Sequence, residues 1–117
     1  MEKNVIVDKS KWFALRIIRL YKYLVEIKKE FVLSKQLLRC GTSIGANVRE
    51  AVHAMSKKEF IAKMNISLKE SAETEYWLEL LYESEYISRK EFKSIYKDCT
   101  EIKAILISII RSAKKEI

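Results

Sequence analysis

A chain of 117 residues, 33% charged and 49% hydrophobic, is long enough for one domain with one core and has a globular balance, not a disordered one. No stretch approaches the ~20 apolar residues of a bilayer span, and the richest, Ile102 to Ile110, is broken by Lys103. The formal charge of +7 is lopsided, with 13 Lys and Arg against 5 Asp and Glu in residues 1–58, and 10 against 11 in residues 59–117. The opening M-E-K-N-V-I-V-D-K lacks the apolar core and cleavage site of a signal peptide, so a cytoplasmic location with no membrane partner is expected.

Helix one is expected over about residues 10–28. Phe13, Ile17, Leu20, Leu24 and Ile27 recur at alternating spacings of four and three, the seam of a bundle helix, and Ala14, Ile18, Tyr21 and Val25 form a second apolar row beside it. Two rows make a face wider than one neighbour needs. After the connection K-K-E-F-V-L, Ser34 is placed to cap helix two, which spans about 34–53. Ser56-Lys-Lys-Glu59 and Ser88-Arg-Lys-Glu91 are capping boxes that open helix three, about 57–85, and helix four, about 89–115. In helix four Ile95, Cys99, Ile102, Leu106 and Ile109 repeat the seam. Connections this short force antiparallel neighbours, so residues 1–117 are expected to form a single all-α domain, an up-down-up-down antiparallel four-helix bundle.

Proline is absent, and the only two glycines, Gly41 and Gly45, stand one helical turn apart inside helix two, where each costs about 1 kcal/mol relative to alanine. In an antiparallel pair joined near residue 55, positions whose numbers sum to about 110 face each other. The glycines are then expected opposite helix three, around Asn65 to Lys69, letting two backbones approach closely; a hinge is the rival reading. Beside them Arg39, Ser43, Asn47 and Glu50 form a polar stripe, answered on helix three by Ser67, Ser71 and Glu75. The expectation is a partly buried hydrogen-bond network in which Arg39 reaches Ser71 and Glu75, with a solvated outer face as the alternative.

The run S-K-Q-L-L-R-C-G-T-S-I-G-A-N-V-R-E-A, with K-K-E-F-I and the later L-K-E-S-A-E-T-E-Y-W-L-E-L-L, closely resembles the four-helix-bundle family whose founders are encoded in intervening sequences of bacterial 23S ribosomal RNA genes, often labelled ribosomal-protein-like. The resemblance covers about Ser10 to Ala113. Arg39, Ser43, Ile44, Asn47, Glu50 and Glu75 fit the family signature, and Gly41 and Gly45 lie within its densest part. It implies a small helical subunit that assembles into a homopentamer. A related protein, the accessory variability determinant of diversity-generating retroelements, is a basic pentamer, which by analogy implies RNA or DNA, and a second protein such as a reverse transcriptase, as partners.

Catalytic chemistry is not legible. His53 is the only histidine, stands at a helix end favoured by the dipole, and has no second ligand at metal spacing. Without a base, Ser43 and Cys40 make no nucleophile pair, and the glycines are mid-helix, not in a phosphate loop. The Glu-x-x-His signature of di-iron bundles is missing. Cys40 and Cys99 read as buried reduced thiols in preference to a disulfide. The chain therefore reads as non-enzymatic, with no catalytic residue, cofactor or metal expected.

What remains is surface. Folding the bundle gathers Lys28, Lys29, Lys35, Arg89, Lys90 and Lys93 at one end, and Lys9, Lys11, Lys57, Lys58, Lys114 and Lys115 at the other. Lys57, Lys58, Arg89 and Lys90 occupy first turns, where the helix dipole disfavours cations; phosphate contact would explain them, a solubilising surface being the plainer alternative. Trp12, Tyr76, Trp77 and Tyr82 cannot all fit inside so small a bundle. With basic Arg16, Arg19 and Lys22 on helix one, and six glutamates from Glu70 to Glu85 on helix three, a head-to-tail contact through Trp12, Arg16, Arg19, Tyr76 and Trp77, in which the basic outer side of helices one and two meets the acidic side of helix three, is expected to close a ring. The rival function is an oligomeric protein-interaction scaffold that binds no nucleic acid.

Overall fold

The computed structural model describes residues 2–116. Four helices run α1 Glu2–Glu26, α2 Leu33–Val52, α3 Lys57–Glu83 and α4 Arg89–Lys115, with no strand among the described residues. Each packs on its neighbours in the cyclic order α1-α2-α3-α4, most extensively between α2 and α3 and least between α1 and α4. The result is a rod of 47 × 21 × 19 Å, an antiparallel four-helix bundle.

The core is the set of seams read from the periodicity: Phe13, Ile17, Leu20 and Leu24 from α1, Leu37, Ile44 and Val48 from α2, Met64, Leu78 and Leu81 from α3, and Ile95, Ile102, Leu106 and Ile109 from α4. Two expectations shift. Helix α1 begins at Glu2, eight residues before Ser10, and buries Ile6 as a further seam position. It also ends at Glu26, so Ile27 turns outward and leaves the core. The wide apolar face of α1 is used within the subunit, since α1 packs on both α2 and α4.

The ends of the helices show where local chemistry acts. Ser56 Oγ and Ser88 Oγ accept the backbone N–H groups of Glu59 (3.0 Å) and Glu91 (3.1 Å), as the capping boxes require. The glutamates are diverted: Glu59 accepts from the Met55 N–H, and Glu91 accepts from Arg16. Helix α2 is not capped by Ser34, which is buried in the first turn and donates to the Glu30 carbonyl. The cap is Glu30, whose buried carboxylate accepts the N–H groups of Val32 (3.2 Å), Leu33 (3.0 Å) and Ser34 (2.7 Å). Helix α3 ends in a Schellman turn, with Tyr86 N–H on the Leu81 carbonyl and Glu85 N–H on that of Tyr82. Glu85, at φ 68°, holds the left-handed position that usually takes glycine.

The chain's glycines serve volume instead, and they face α1, not α3. A Cβ on Gly41 would stand 2.8 Å from Cγ1 and 2.9 Å from Cγ2 of Ile17, and one on Gly45 would stand 3.3 Å from the Ser10 carbonyl. Cross-helix pairs Ile44–Ser67 and Glu50–Lys63 keep the expected α2–α3 register. The rotation of α2 about its axis is what differs: it turns Cys40 and Ile44 toward α3 and the glycines toward α1. Close approach to α3 is achieved from the other side, by Ser67, whose hydroxyl donates to the Ile44 carbonyl at 2.9 Å.

Two outcomes follow. Gly41→Ala should lower stability by about 1–2 kcal/mol despite a helix-propensity gain of about 1, because the stiff, β-branched Ile17 cannot withdraw both Cγ atoms; denaturant unfolding measures it. Burial pushes the Glu30 carboxyl up, but the N–H donors of Leu33, Ser34 and Val32 outweigh it and hold the group below its ordinary value of 4.5. A folded-state pKa below the unfolded one stabilises fully above the unfolded value, and that share is lost as pH falls through the folded value. Glu30→Gln, which puts an NH2 against one of these donors, should cost about 1–3 kcal/mol at pH 7, and the gap to the parent should narrow below pH 4.5.

Candidate functional site

The up-down order gathers the cations expected at one end, whereas at the other the earlier start of α1 sets Lys9 and Lys11 at least two turns inside the rod, where Lys9 pairs with Glu101 at 3.4 Å. Lys28, Lys29, Lys35, Arg89, Lys90 and Lys93 are all exposed around the α1–α2 connection and the start of α4. The α1–α2 connection is held by the Glu30 clamp, so this basic end rests on a fixed turn with Lys29 in the left-handed region (φ 56°). Exposed Ile27, Phe31 and Val32 lie among its lysines. At the opposite end Lys57 and Lys58 are exposed, and Lys57 pairs with Glu116 at 2.5 Å.

The polar stripe on α2 separates into two systems. Outside, Arg39 pairs with Glu70 at 3.4 Å and with Glu73. Its side chain is 56% exposed, so it does not reach Ser71 or Glu75 as expected, because the glutamates nearer the surface intercept it. Asn47 donates to the Ser43 carbonyl and hydroxyl (2.9 and 3.0 Å), and Glu50 pairs with Lys63 at 2.7 Å. Inside, Ser67, Ser71, Thr74 and Glu75 are buried along α3. Thr74 Oγ1 lies 3.2 Å from Cys40 Sγ, and Cys99 Sγ donates to the Ser71 carbonyl at 3.4 Å. Glu75 turns to α4, accepting from Lys103 (2.7 Å) and Thr100 (3.1 Å). Lys103, which in the sequence only interrupts an apolar run, is thus the partner of the buried carboxylate.

Both cysteines are free and buried. Burial pushes the Cys40 thiol up to about 11, and burial with nearby Glu75 pushes that of Cys99 higher still, so both are protonated and unreactive at neutral pH. His53 is exposed at the C-cap of α2. Among the described residues no group of three His, Cys, Asp or Glu side chains is placed to hold a metal ion, and no helix is long and apolar enough to cross a membrane.

Of the side chains expected at a subunit contact, Trp12 is 70% exposed and Tyr76 is 54% exposed. Tyr76 meets Trp77 edge-on, with centroids 5.2 Å apart, and the enclosed Trp77 Nε1 has no hydrogen-bond partner. Arg19 is exposed, but Arg16 is not free for a neighbour: it donates to Asp98 (2.8 Å) and Ser94 (2.7 Å) across the α1–α4 seam. Tyr82 stacks on Phe92 inside the α3–α4 seam. Two grooves run along the loose α1–α4 seam and share Arg19, one lined by Trp12, Phe13 and Ile102, the other by Leu20, Tyr23 and Ile87.

A family model described as 23S rRNA-intervening sequence protein matches residues 2–108. Among solved structures, the chain is similar to a protein of unknown function from the S23 ribosomal protein family of Bacteroides thetaiotaomicron, with 61% sequence identity, a TM-score of 0.94, and coverage of 95% of this chain and 99% of that one. No curated protein matches.

The Glu75–Lys103 pair carries its own test. Lys103→Met should cost about 1–3 kcal/mol by leaving a buried carboxylate without its cation, the partial exposure of Lys103 keeping the figure below that of a fully buried pair. The double variant Glu75→Leu with Lys103→Met should recover much of that loss. Guanidinium unfolding of the parent, single and double variants reads both.

Proposed function

Because the chain belongs to the 23S rRNA-intervening sequence protein family, we propose that it is a non-enzymatic subunit of a cytoplasmic homo-oligomeric ring that binds RNA or DNA through exposed basic surfaces. The observation that carries this reading is the exposure of Lys28, Lys29, Lys35, Arg89, Lys90 and Lys93 at one end of the rod, supported by Lys57 and Lys58 at the other. Exposed cations in first helical turns work against the dipole and are compensated by phosphate. Buried, protonated thiols and a lone exposed histidine supply no nucleophile pair, which supports a binding role over a catalytic one.

The ring rests on α1 and α3, which lie diagonally and so expose Trp12 and Tyr76 on opposite flanks of the bundle. Opposite flanks suit a head-to-tail contact, and such a contact closes into a ring when its rotation closes. Five subunits is the number the family resemblance implies. Arg19 is the cation on α1 left to face a neighbour's exposed Glu83, while Arg16 serves inside the subunit. A second reading, a scaffold for another protein such as a reverse transcriptase, draws on the exposed Ile27, Phe31 and Val32.

Mobility shift with duplex DNA and structured RNA at micromolar protein and about 50 mM salt should show binding that weakens steeply with added salt. No shift, together with a protein partner retained after nuclease treatment, would favour the scaffold. Light scattering at tens of micromolar subunit should give a closed oligomer, and Trp12→Ala or Arg19→Glu should dissociate it without loss of helicity. A monomer for the parent would overturn the ring.

A further inference from the structure

Among the described residues, three of the four helix seams carry a cross-helix ion pair. Arg16–Asp98 and Lys9–Glu101 join α1 to α4, Arg39–Glu70 and Lys63–Glu50 join α2 to α3, and Lys103–Glu75 joins α3 to α4. The α1–α2 seam has none among the described residues. It is also where glycine packing draws two helices together, Gly41 on Ile17 and Gly45 on Ser10.

That register sets Lys11 against Arg49 and Lys22 against Lys35. Lys11 and Arg49 together rim a shallow pocket floored by Ser10, Ala14, Thr42 and Gly45. Lys22 lies three turns along α1 from Lys11 on the same face, about 16 Å away at 1.5 Å per residue, and Lys35 answers it on α2. All four cations are exposed, and no acid lies within ion-pairing distance of any of them among the described residues. The acids nearest along α1, Asp8 and Glu26, stand one turn outside the two pairs, three residues from Lys11 and four from Lys22, and are ion-paired with neither. Glu50, the only acid in α2, is taken by Lys63 on the opposite side. Between the pairs run Ala14, Ile18, Leu38, Thr42 and Ala46, small or aliphatic and without an exposed aromatic ring.

We propose that this α1–α2 face, with Lys11 and Arg49 at one end and Lys22 and Lys35 at the other, is a docking surface for the sugar-phosphate backbone of double-stranded nucleic acid. The proposal rests on the nucleic-acid reading above and carries the contact from the basic end, through Lys35, along the flank of the rod to Arg49 in the last turn of α2. Four exposed cations without an ion pair call for an anion, and two levels of charge three to four turns apart match an extended polyanion better than a single phosphate. Single-strand sites stack bases on exposed aromatic rings, whereas between these pairs the one ring, Tyr21, is half-buried and the exposed Phe31 lies beyond Lys35, so a duplex read through its phosphates is the occupant. Binding of this kind is indifferent to base sequence.

Fluorescence anisotropy on the intact protein, with a ~20-bp duplex as DNA and as RNA of the same sequence, tests it between about 50 and 200 mM salt. Lys11→Gln with Arg49→Gln, which leave Lys57, Lys58, Arg89 and Lys90 intact, should weaken binding roughly tenfold at the lower salt and reduce the slope of log K against log salt by about two. Lys22→Gln with Lys35→Gln should do the same, and Lys11→Arg with Lys22→Arg should bind like the parent. Circular dichroism confirms that each variant is folded, as exposed positions require. If the parent binds and the Lys11/Arg49 variant binds equally well, while Lys57→Gln with Lys58→Gln or Arg89→Gln with Lys90→Gln abolishes binding, this face is wrong and the nucleic-acid reading stands. If the parent binds no duplex, both fall. Displacement of duplex by polyglutamate at equal charge as effectively as by unlabelled duplex would assign the face to an acidic protein and overturn the proposal. Preference between the DNA and RNA arms identifies which duplex is held.

Discussion

Two side chains of zero size set the geometry of this bundle. Gly41 leaves room for the Ile17 side chain and Gly45 for the Ser10 backbone, so α1 packs closely on α2 along one full turn. That contact turns Cys40 and Ile44 toward α3, where the Ser67 hydroxyl can reach the Ile44 carbonyl. With α1 drawn to α2, its far side is left with the thinnest packing of the four seams, closed over α4 by Arg16 and Asp98 in place of apolar bulk. The exposed Trp12 and Tyr23 border the grooves that remain there.

Charge is sorted by the same arrangement. The glutamate run of α3, which in the sequence looks like one acidic patch, is divided by helix rotation among three neighbours. Glu70 and Glu73 go to Arg39 on α2, Glu75 to Lys103, and Glu79 to the Tyr96 hydroxyl, the last two on α4. Half of these glutamates are thus ion-paired within the chain, while Glu83 and Glu85 stay exposed. The surplus of positive charge collects where matching fails, on the α1–α2 flank and at the rod ends. A protein can be electrically uneven in sequence and still be so in space, though on different surfaces from those the linear order suggests.

Much of the fold was legible because it depends on spacing. The four-three recurrence, the two capping serines and the short connections determine helix count, order and register, and Ile44–Ser67 and Glu50–Lys63 sit where a simple antiparallel count places them. Azimuth was not legible. A residue sum states which levels of two helices are opposite and says nothing of which side each helix turns, so by that sum alone the glycines fall opposite α3 and Arg39 near Glu75. Glu30 escaped because its role depends on a left-handed residue before it, Lys29, that lets a carboxylate fold back over three N–H groups. Nothing in K-K-E-F-V marks that turn as a glycine would. Arg16 was misplaced for a related reason: an arginine on an apolar helix face looks free until the opposing helix is known to carry Ser94 and Asp98.

The thin α1–α4 seam has a kinetic meaning. Every other interhelical contact joins helices adjacent in the chain, so each needs only a short loop to close, and bundles built this way fold quickly. The α1–α4 contact instead ties the first helix to the last, spanning 82 residues between Arg16 and Asp98, and it gains the least packing for the largest loss of chain freedom. During folding it is therefore expected to be the last seam to form and the first to open. A molecule of this design has a well-ordered hairpin pair at α2–α3 and a closure step at its edge. Amide protons of α1 facing α4 would then exchange through sub-global openings well before the α2–α3 core releases its own.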